Sequence, residues 1–496
     1  MTVTSPSPRH QQAALEGAAP AQAATRARRV VRAVCCAAAV CCAAAVVCGL
    51  ALAAAPAQAA WRLSSSSFED NGGAVLPAPR AELPTRRQLV TLLPEGFADD
   101  FDASSLIDEL PSALRRELRA GDAAGSPWAL SLGTTGVRIE PEGGRFRMDV
   151  IGRLTLRDGF FLGQQDQIDD GYLRLARVAA QGFVGSPDLR YRVHLGFTTI
   201  DRNEDYADSP LLDAWVEWTR WRDAQVRVGQ FFVPLDEARF GGRFSETLIG
   251  RGVLTRQLGL DRDVGMMLYS RELFGQRWLA YHLFVGRGEG RGAGLSAPGN
   301  RVAPAGARQE DGRFGPLVVG RLTLTPIETT DTRLRFGLAG GYNLHATRAD
   351  STYGERLTLG SVSYAHVAAD ASLQHRGFRL MTGFMARQAS TPELIATSGG
   401  ETVSEATHSG YGYLVQTAIR LNNNVELAGR WEQVFSDRSD TMNQRYYFET
   451  GNQAATGFNY MMLGNTLRFH ADYTWMSSPA RLTSGHLGRF QLDMLF

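Results

Sequence analysis

The chain has 496 residues, 44% of them hydrophobic, and its 52 basic and 51 acidic residues leave a formal charge of +1. That balance excludes a general nucleic-acid binder, which needs a basic face. All five cysteines (Cys35, Cys36, Cys41, Cys42 and Cys48) fall in one apolar run, so disulfides and cysteine metal sites are excluded beyond it.

Residues 1–59 read as an export signal peptide. Arg26, Arg28, Arg29 and Arg32 form a basic start, residues 34–55 the apolar core, and Ala57-Gln58-Ala59 a small-residue cleavage site before Ala60. The run is long enough for a spanning helix, but the triplet favours a signal. Beyond it no long apolar segment remains, so a membrane-embedded mature chain would cross as strands. Residues 60–144 read as a periplasmic linker with a serine run, a proline cluster and a short helix at 112–119 that Pro111 opens.

From residue 145 to 496 the pattern changes to a period of two. Phe146, Met148, Val150, Leu154 and Leu156 share one face, against Arg147, Asp149, Arg153, Thr155 and Arg157. Residues 211–234 read as a hairpin turning at Arg222-Asp223. Leu212, Ala214, Val216 and Trp218 fall on its oily face, Asp213, Trp215 and Glu217 on the other, and Val226 and Val228 alternate with Arg227. The last strand sets Phe490, Leu492, Met494 and Phe496 against Arg489, Gln491 and Asp493.

Alternation alone fits a sandwich or a barrel; loop lengths separate them. Sixteen candidate strands are joined by short and long connections in alternation, the long ones including 237–262, 287–313 and 388–407. Short turns at one end and long loops at the other mark an outer-membrane barrel. The expected fold is therefore all-β, a 16-stranded antiparallel transmembrane β-barrel over 145–496, preceded by the short linker and helical segment. Phe146, Tyr191, Trp218, Tyr473, Trp475 and Phe490 should face lipid, where aromatic rings suit the interface. One strand breaks the pattern: Leu173-Arg174-Leu175-Ala176-Arg177 cannot turn both arginines inward without a bulge.

Several stretches, in this order, resemble the phosphate-selective porin O and P family. They are Leu173 to Gly182, LLDAWVEW at 211–218 with RVGQFFVP at 227–234, Asp263-Val264-Gly265, Val319 to Pro326 and Glu426 to Glu432. The resemblance implies a homotrimeric porin in the bacterial outer membrane, surrounded by lipid, with its third loop folded into the lumen. Two positions depart from the family pattern: Leu175 stands where a second arginine is usual, and Phe232 where lysine is. The solute stays open accordingly, between phosphate-like anions and, as the alternative, a general weakly selective porin or a channel for solutes such as carboxylates.

Charge on the inward face favours anions. By this phase the inward arginines outnumber the inward acids roughly sixteen to nine, an excess that a narrow aqueous pore focuses. The candidate pore-lining, anion-binding residues are Arg174, Arg177, Arg190, Arg192, Asp213, Arg227, Arg239, Arg243, Arg321 and Arg430. Guanidinium forks suit oxyanions; the competing reading is that the arginines pair with acids and stiffen the wall. Arg291, in an outer loop, should leave selectivity unchanged. The histidines lack ligand spacing and Gly286 to Gly292 lacks a dinucleotide register. No catalytic residue, metal site or cofactor is expected, and transport would be passive.

Overall fold

The computed structural model describes residues 128–496, except 134–135, 142–143, 164–166, 199–200, 202–208, 241–246, 292–314, 399–400, 437–450, 464–465 and 478–483. Eighteen strands form one antiparallel sheet, sixteen of them a barrel and two an N-terminal hairpin. The barrel strands are β1 (Phe146–Gly163), β2 (Gln167–Val184), β3 (Ser186–Gly196), β4 (Leu211–Trp218), β5 (Gln225–Phe232), β6 (Arg262–Ser270), β7 (Leu279–Gly286) and β8 (Leu317–Glu328). They continue with β9 (Thr332–Ala346), β10 (Val362–His375), β11 (Phe378–Ala389), β12 (Gly410–Arg420), β13 (Val425–Ser436), β14 (Gly451–Met461), β15 (Leu467–Ser477) and β16 (Gly485–Leu495).

Each strand pairs with the next, and β16 returns to β1, with Gly485 opposite Gly163 and Leu495 opposite Arg153. Closure leaves no open edge between first and last strand. Phe496 completes the seam: its N–H and carbonyl pair with the carbonyl and N–H of Gly152. Its ring lies where a Gly152 Cβ would stand, 2.3 Å from the nearest ring carbon.

The alternation read in the sequence is the division of the wall. Val216 is 51% exposed on the outside while Glu217 is 1% exposed within. Leu156, Val193, Val228, Met266, Leu283 and Leu338 also point outward, with Tyr473, Trp475 and Phe490 in the same belt. Leaving such side chains in water costs about 1.5–3 kcal/mol each. The belt is thus stable against lipid, as a transmembrane barrel requires.

The hairpin Trp128–Gly133 and Gly136–Pro141 falls within the stretch expected to be a linker. Its second strand pairs Val137 with Val150 and Ile139 with Met148, along the part of β1 that lies beyond the end of β16. An uncovered β1 edge would invite pairing with another chain. Gly136 sits at φ +119, and a Cβ there would lie 2.1 Å from the Val150 carbonyl oxygen. Two strands this short carry too few alternating positions to stand out in a sequence. The helix expected at 112–119 and the signal at 1–59 lie outside the described residues.

Among the described residues no helix is long and apolar enough to cross a membrane. Two short helices, α1 (Glu237–Phe240) and α2 (Val253–Leu258), lie in the long loop 233–261 between β5 and β6. Val233, Leu235, Val253, Leu254, Leu258 and Leu260 pack there with Phe231, Met267, Phe284, Met385 and Leu414 of the wall. This apolar core sits inside the barrel.

Candidate solute pore

The long loop is stitched across the lumen by polar side chains of the far wall. Gln416 of β12 donates to Thr247 Oγ1 at 2.7 Å, and Asn459 of β14 donates to the Thr247 carbonyl at 2.8 Å. Asp472 of β15 accepts from Ile249 N at 2.9 Å, and Glu432 of β13 from Leu254 N at 3.3 Å. Arg430 donates to the Gly250 carbonyl at 3.0 Å, and Arg321 of β8 to the Leu235 carbonyl at 3.0 Å. Loop and wall therefore share one hydrogen-bonded interface. A Cβ on Gly252 would fall 1.4 Å from a Glu432 carboxylate oxygen, so only glycine allows that approach.

Many of the expected pore residues serve this interface or the wall. Arg227 forms a buried pair with Glu217 at 2.6 Å and lies 4.3 Å over the Trp215 ring. Arg321 holds Asp370 with two bonds of 2.7 Å and also reaches Glu237 of α1. Arg239 donates to the Thr255 carbonyl at 3.0 Å and faces Asp261 at 3.6 Å. Arg430 pairs with Glu432 at 3.0 Å. Asp213 is a buried hub for Arg262 at 2.6 Å, His194 at 2.9 Å and Arg192 at 3.8 Å. Arg192 also donates to Gln181. Arg190 caps the Pro187 carbonyl at the 185 turn. These residues are held by partners in the wall, the turns and the loop, Arg190 in an exposed contact; Arg243 lies outside the described residues.

Arg174 and Arg177 are placed differently. The β1–β2 register shifts so that Thr155 faces Leu175 and Leu156 faces Leu173, leaving Arg174 as the extra residue of a bulge. The bulge resets the period and lets both arginines serve one face. Arg177 grips Asp201 at 2.6 Å. The electrostatic neighbours of Arg174 are Tyr172, Arg177, Asp201 and Arg489; those of Arg157 are Arg174, Arg489, Tyr172 and Asp472. Arg489 pairs with Asp472 at 2.7 Å, and Arg157 donates to the neutral Gln491 at 2.5 and 3.0 Å. Arg177 and Arg489 are 22% and 17% exposed, in contrast to Arg227 and Arg321. A cluster of four guanidiniums thus spans β16, β1 and β2, with two carboxylates among the described residues beside them.

Arg157 and Arg489 were legible as inward residues but did not stand out from the rest. Their weight comes from meeting Arg174 across the seam where β16 joins β1. The Phe232 position, where the family resemblance leads one to expect lysine, carries cations by another route. Arg262 lies 3.7 Å and Arg251 4.9 Å from its ring centre. Burial, with Arg239 close by, lowers Arg251 from its ordinary value. Burial alone would raise Asp261, but Arg239, Arg262 and Arg251 outweigh it and hold that carboxyl below its usual range.

Among the described residues two serine–histidine contacts occur; the exposed one, Ser361 Oγ with His345 Nδ1, is long at 3.4 Å, and the other is buried. His366 Nε2 lies 2.9 Å from Ser351 Oγ, and Ser351 has φ +69. Both are fully buried, and His366 Nδ1 meets no hydrogen-bond partner. A hydrolytic dyad needs substrate access and an oriented base, and this pair has neither. It fastens the 348–356 hairpin to β10.

No protein-family model and no curated protein matches the chain. Solved structures similar to it include OmpT of Vibrio cholerae, at 9% identity and TM-score 0.47, covering 72% of this chain and 99% of that one. Others are Salmonella typhi OmpF in complex with daunomycin (10%, 0.48, 71% and 98%) and an anion-selective porin from Comamonas acidovorans (10%, 0.44, 70% and 99%).

Proposed function

We propose that the protein is an outer-membrane porin through which small anions diffuse passively along an arginine-lined lumen. The observation that carries this reading is the Arg157, Arg174, Arg177 and Arg489 cluster, beside which Asp201 and Asp472 are the paired carboxylates. On this reading the local excess of about two positive charges acts on the aqueous path, walled by protein and lipid, where fields are focused. Arginine forks at such a place favour oxyanions over spherical ions. The paired acids keep any one site weak, as conduction demands. Phosphate is a suitable solute on this reading, because the bulge at Arg174 restores a two-arginine face despite Leu175. The motif resemblance supports a trimer and the phosphate-selective porin O and P family.

A second reading is favoured by the buried pairs. Arg227, Arg321 and Arg430 are neutralised by acids, so a weakly selective general porin is the alternative. Reversal potentials in planar bilayers under a KCl gradient separate the two: anion preference supports the first, none the second. Phosphate added on one side then tests the oxyanion claim, since a phosphate site would reduce chloride current and a chloride-only path would not.

A further inference from the structure

We infer that Arg291 is a selectivity-determining residue at the outer mouth of the pore, held there by a glycine nest closed on Asp263. This rests on the anion-porin reading and adds a residue that the sequence pattern assigns to a plain outer loop.

The stretch after β7 reads Gly286-Arg287-Gly288-Glu289-Gly290-Arg291. Its N–H groups at Gly288 and Gly290 donate to the two oxygens of Asp263, at 2.6 and 3.2 Å. Successive N–H groups on a glycine-rich turn form an anion-binding concavity, and here the chain's own buried carboxylate fills it. Gly288 and Gly290 have φ +74 and +79, a region that favours glycine. A Cβ on Gly290 would stand 2.1 Å from the Thr352 carbonyl oxygen, and one on Gly288 2.0 Å from Asn343 Oδ1. Each glycine is therefore required by both its conformation and its surroundings.

The nest aims the next side chain. Arg291 donates to the carbonyl of Asp201, whose carboxylate holds Arg177 of the lumen face. Arg177, Asp201 and Arg291 thus form a bridge from β2 to the root of the 287–316 loop. Arg262 and Asp261, at the end of the lumen loop, are also electrostatic neighbours of Arg291. A cation at this bridge adds to the field of the arginine cluster and meets an anion first. Arg177 is committed to the Asp201 carboxylate, while Arg291 spends its hydrogen bond on a carbonyl; Asp261 and Asp201 are its acidic neighbours and Arg262 and Arg177 its basic ones, so the bridge as a whole is not acidic.

The test is the chloride-to-potassium permeability ratio of Arg291→Gln and Arg291→Glu channels in planar bilayers, at low KCl. A roughly threefold fall for the neutral variant and about tenfold for the charge reversal are expected at this range of separations and dielectric. Gly290→Ala, which displaces the nest while leaving Arg291 in the chain, should move the ratio in the same direction. Arg277→Gln, on an exposed turn at the opposite end, should not. If the wild type is anion-selective and both Arg291 variants match it, this inference is overturned and the porin reading stands. If the wild type shows no anion preference, the anion-porin reading falls, and this inference with it. An unfolded Gly290→Ala protein leaves the two Arg291 variants to decide.

Discussion

Replacing Arg174 with glutamate is the sharpest test of the pore. Four guanidiniums and two carboxylates leave the cluster at about +2, because Arg177 and Arg489 are matched by Asp201 and Asp472. Arg174→Gln would bring it to about +1 and Arg174→Glu to about zero. A monovalent ion passing at roughly 5 Å feels each unit charge as about 0.8 kcal/mol at bulk dielectric and about 3 kcal/mol at an effective value of 20. Screening at 0.1 M salt, with a Debye length of ~10 Å, trims the lower figure to about 0.5 kcal/mol. Potassium gains what chloride loses, so each unit changes the ratio by about 1 kcal/mol or more, roughly fivefold. Arg174→Glu should therefore lower the chloride-to-potassium ratio at least about twenty-fold at low salt, and much less at 1 M, where the Debye length is ~3 Å. The readout is the reversal potential of single channels, with folding checked by heat-modifiable gel mobility. A correctly folded Arg174→Glu channel with the wild-type ratio at low salt would refute the reasoning.

The buried pair predicts the opposite profile: Glu217→Gln should destabilise the barrel by about 3–5 kcal/mol through Arg227 left unpaired, yet leave the permeability ratio within error. Thermal unfolding in detergent and the same bilayer assay check the two halves. Gly252→Ala should force α2 away from Glu432 and raise single-channel conductance; an unchanged conductance would mean that the loop does not narrow the path. Deleting Phe496, or replacing Gly152 with valine, should slow membrane insertion and lower the melting temperature, since both break the seam between β16 and β1. Refolding kinetics into lipid vesicles measure that directly.

The barrel was legible because lipid outside and water inside impose a period of two on every strand separately, whatever its partner. Val216 and Glu217 announce their faces without reference to any distant residue. The state of each arginine was not legible in that way. Arg227 and Arg174 look alike in sequence, each a cation among apolar neighbours on an inward phase. They differ in what stands across from them. Arg227 is opposite Glu217 in the hairpin register, and the 219–224 turn is short enough that the pair could have been counted from it. Arg321 could be judged only in part, since Asp370 stands two strands away in the wall but Leu235 and Glu237 come from a loop that folds across the lumen. The contacts of Arg291 were not legible for the same reason: a glycine-rich loop gives no sign of the carboxylate that fills it, Asp263, until the two are known to be adjacent. The one local clue to the cluster was a fault in the pattern. Leu173-Arg174-Leu175-Ala176-Arg177 cannot set both arginines on one face in strict alternation, and a sequence that breaks its own rule at one place usually does so where function requires it. The bulge costs β2 a ladder position, and in return Arg174 joins Arg157 and Arg489 across the seam of the barrel, in a spot where no strand-by-strand phase would have put three cations together.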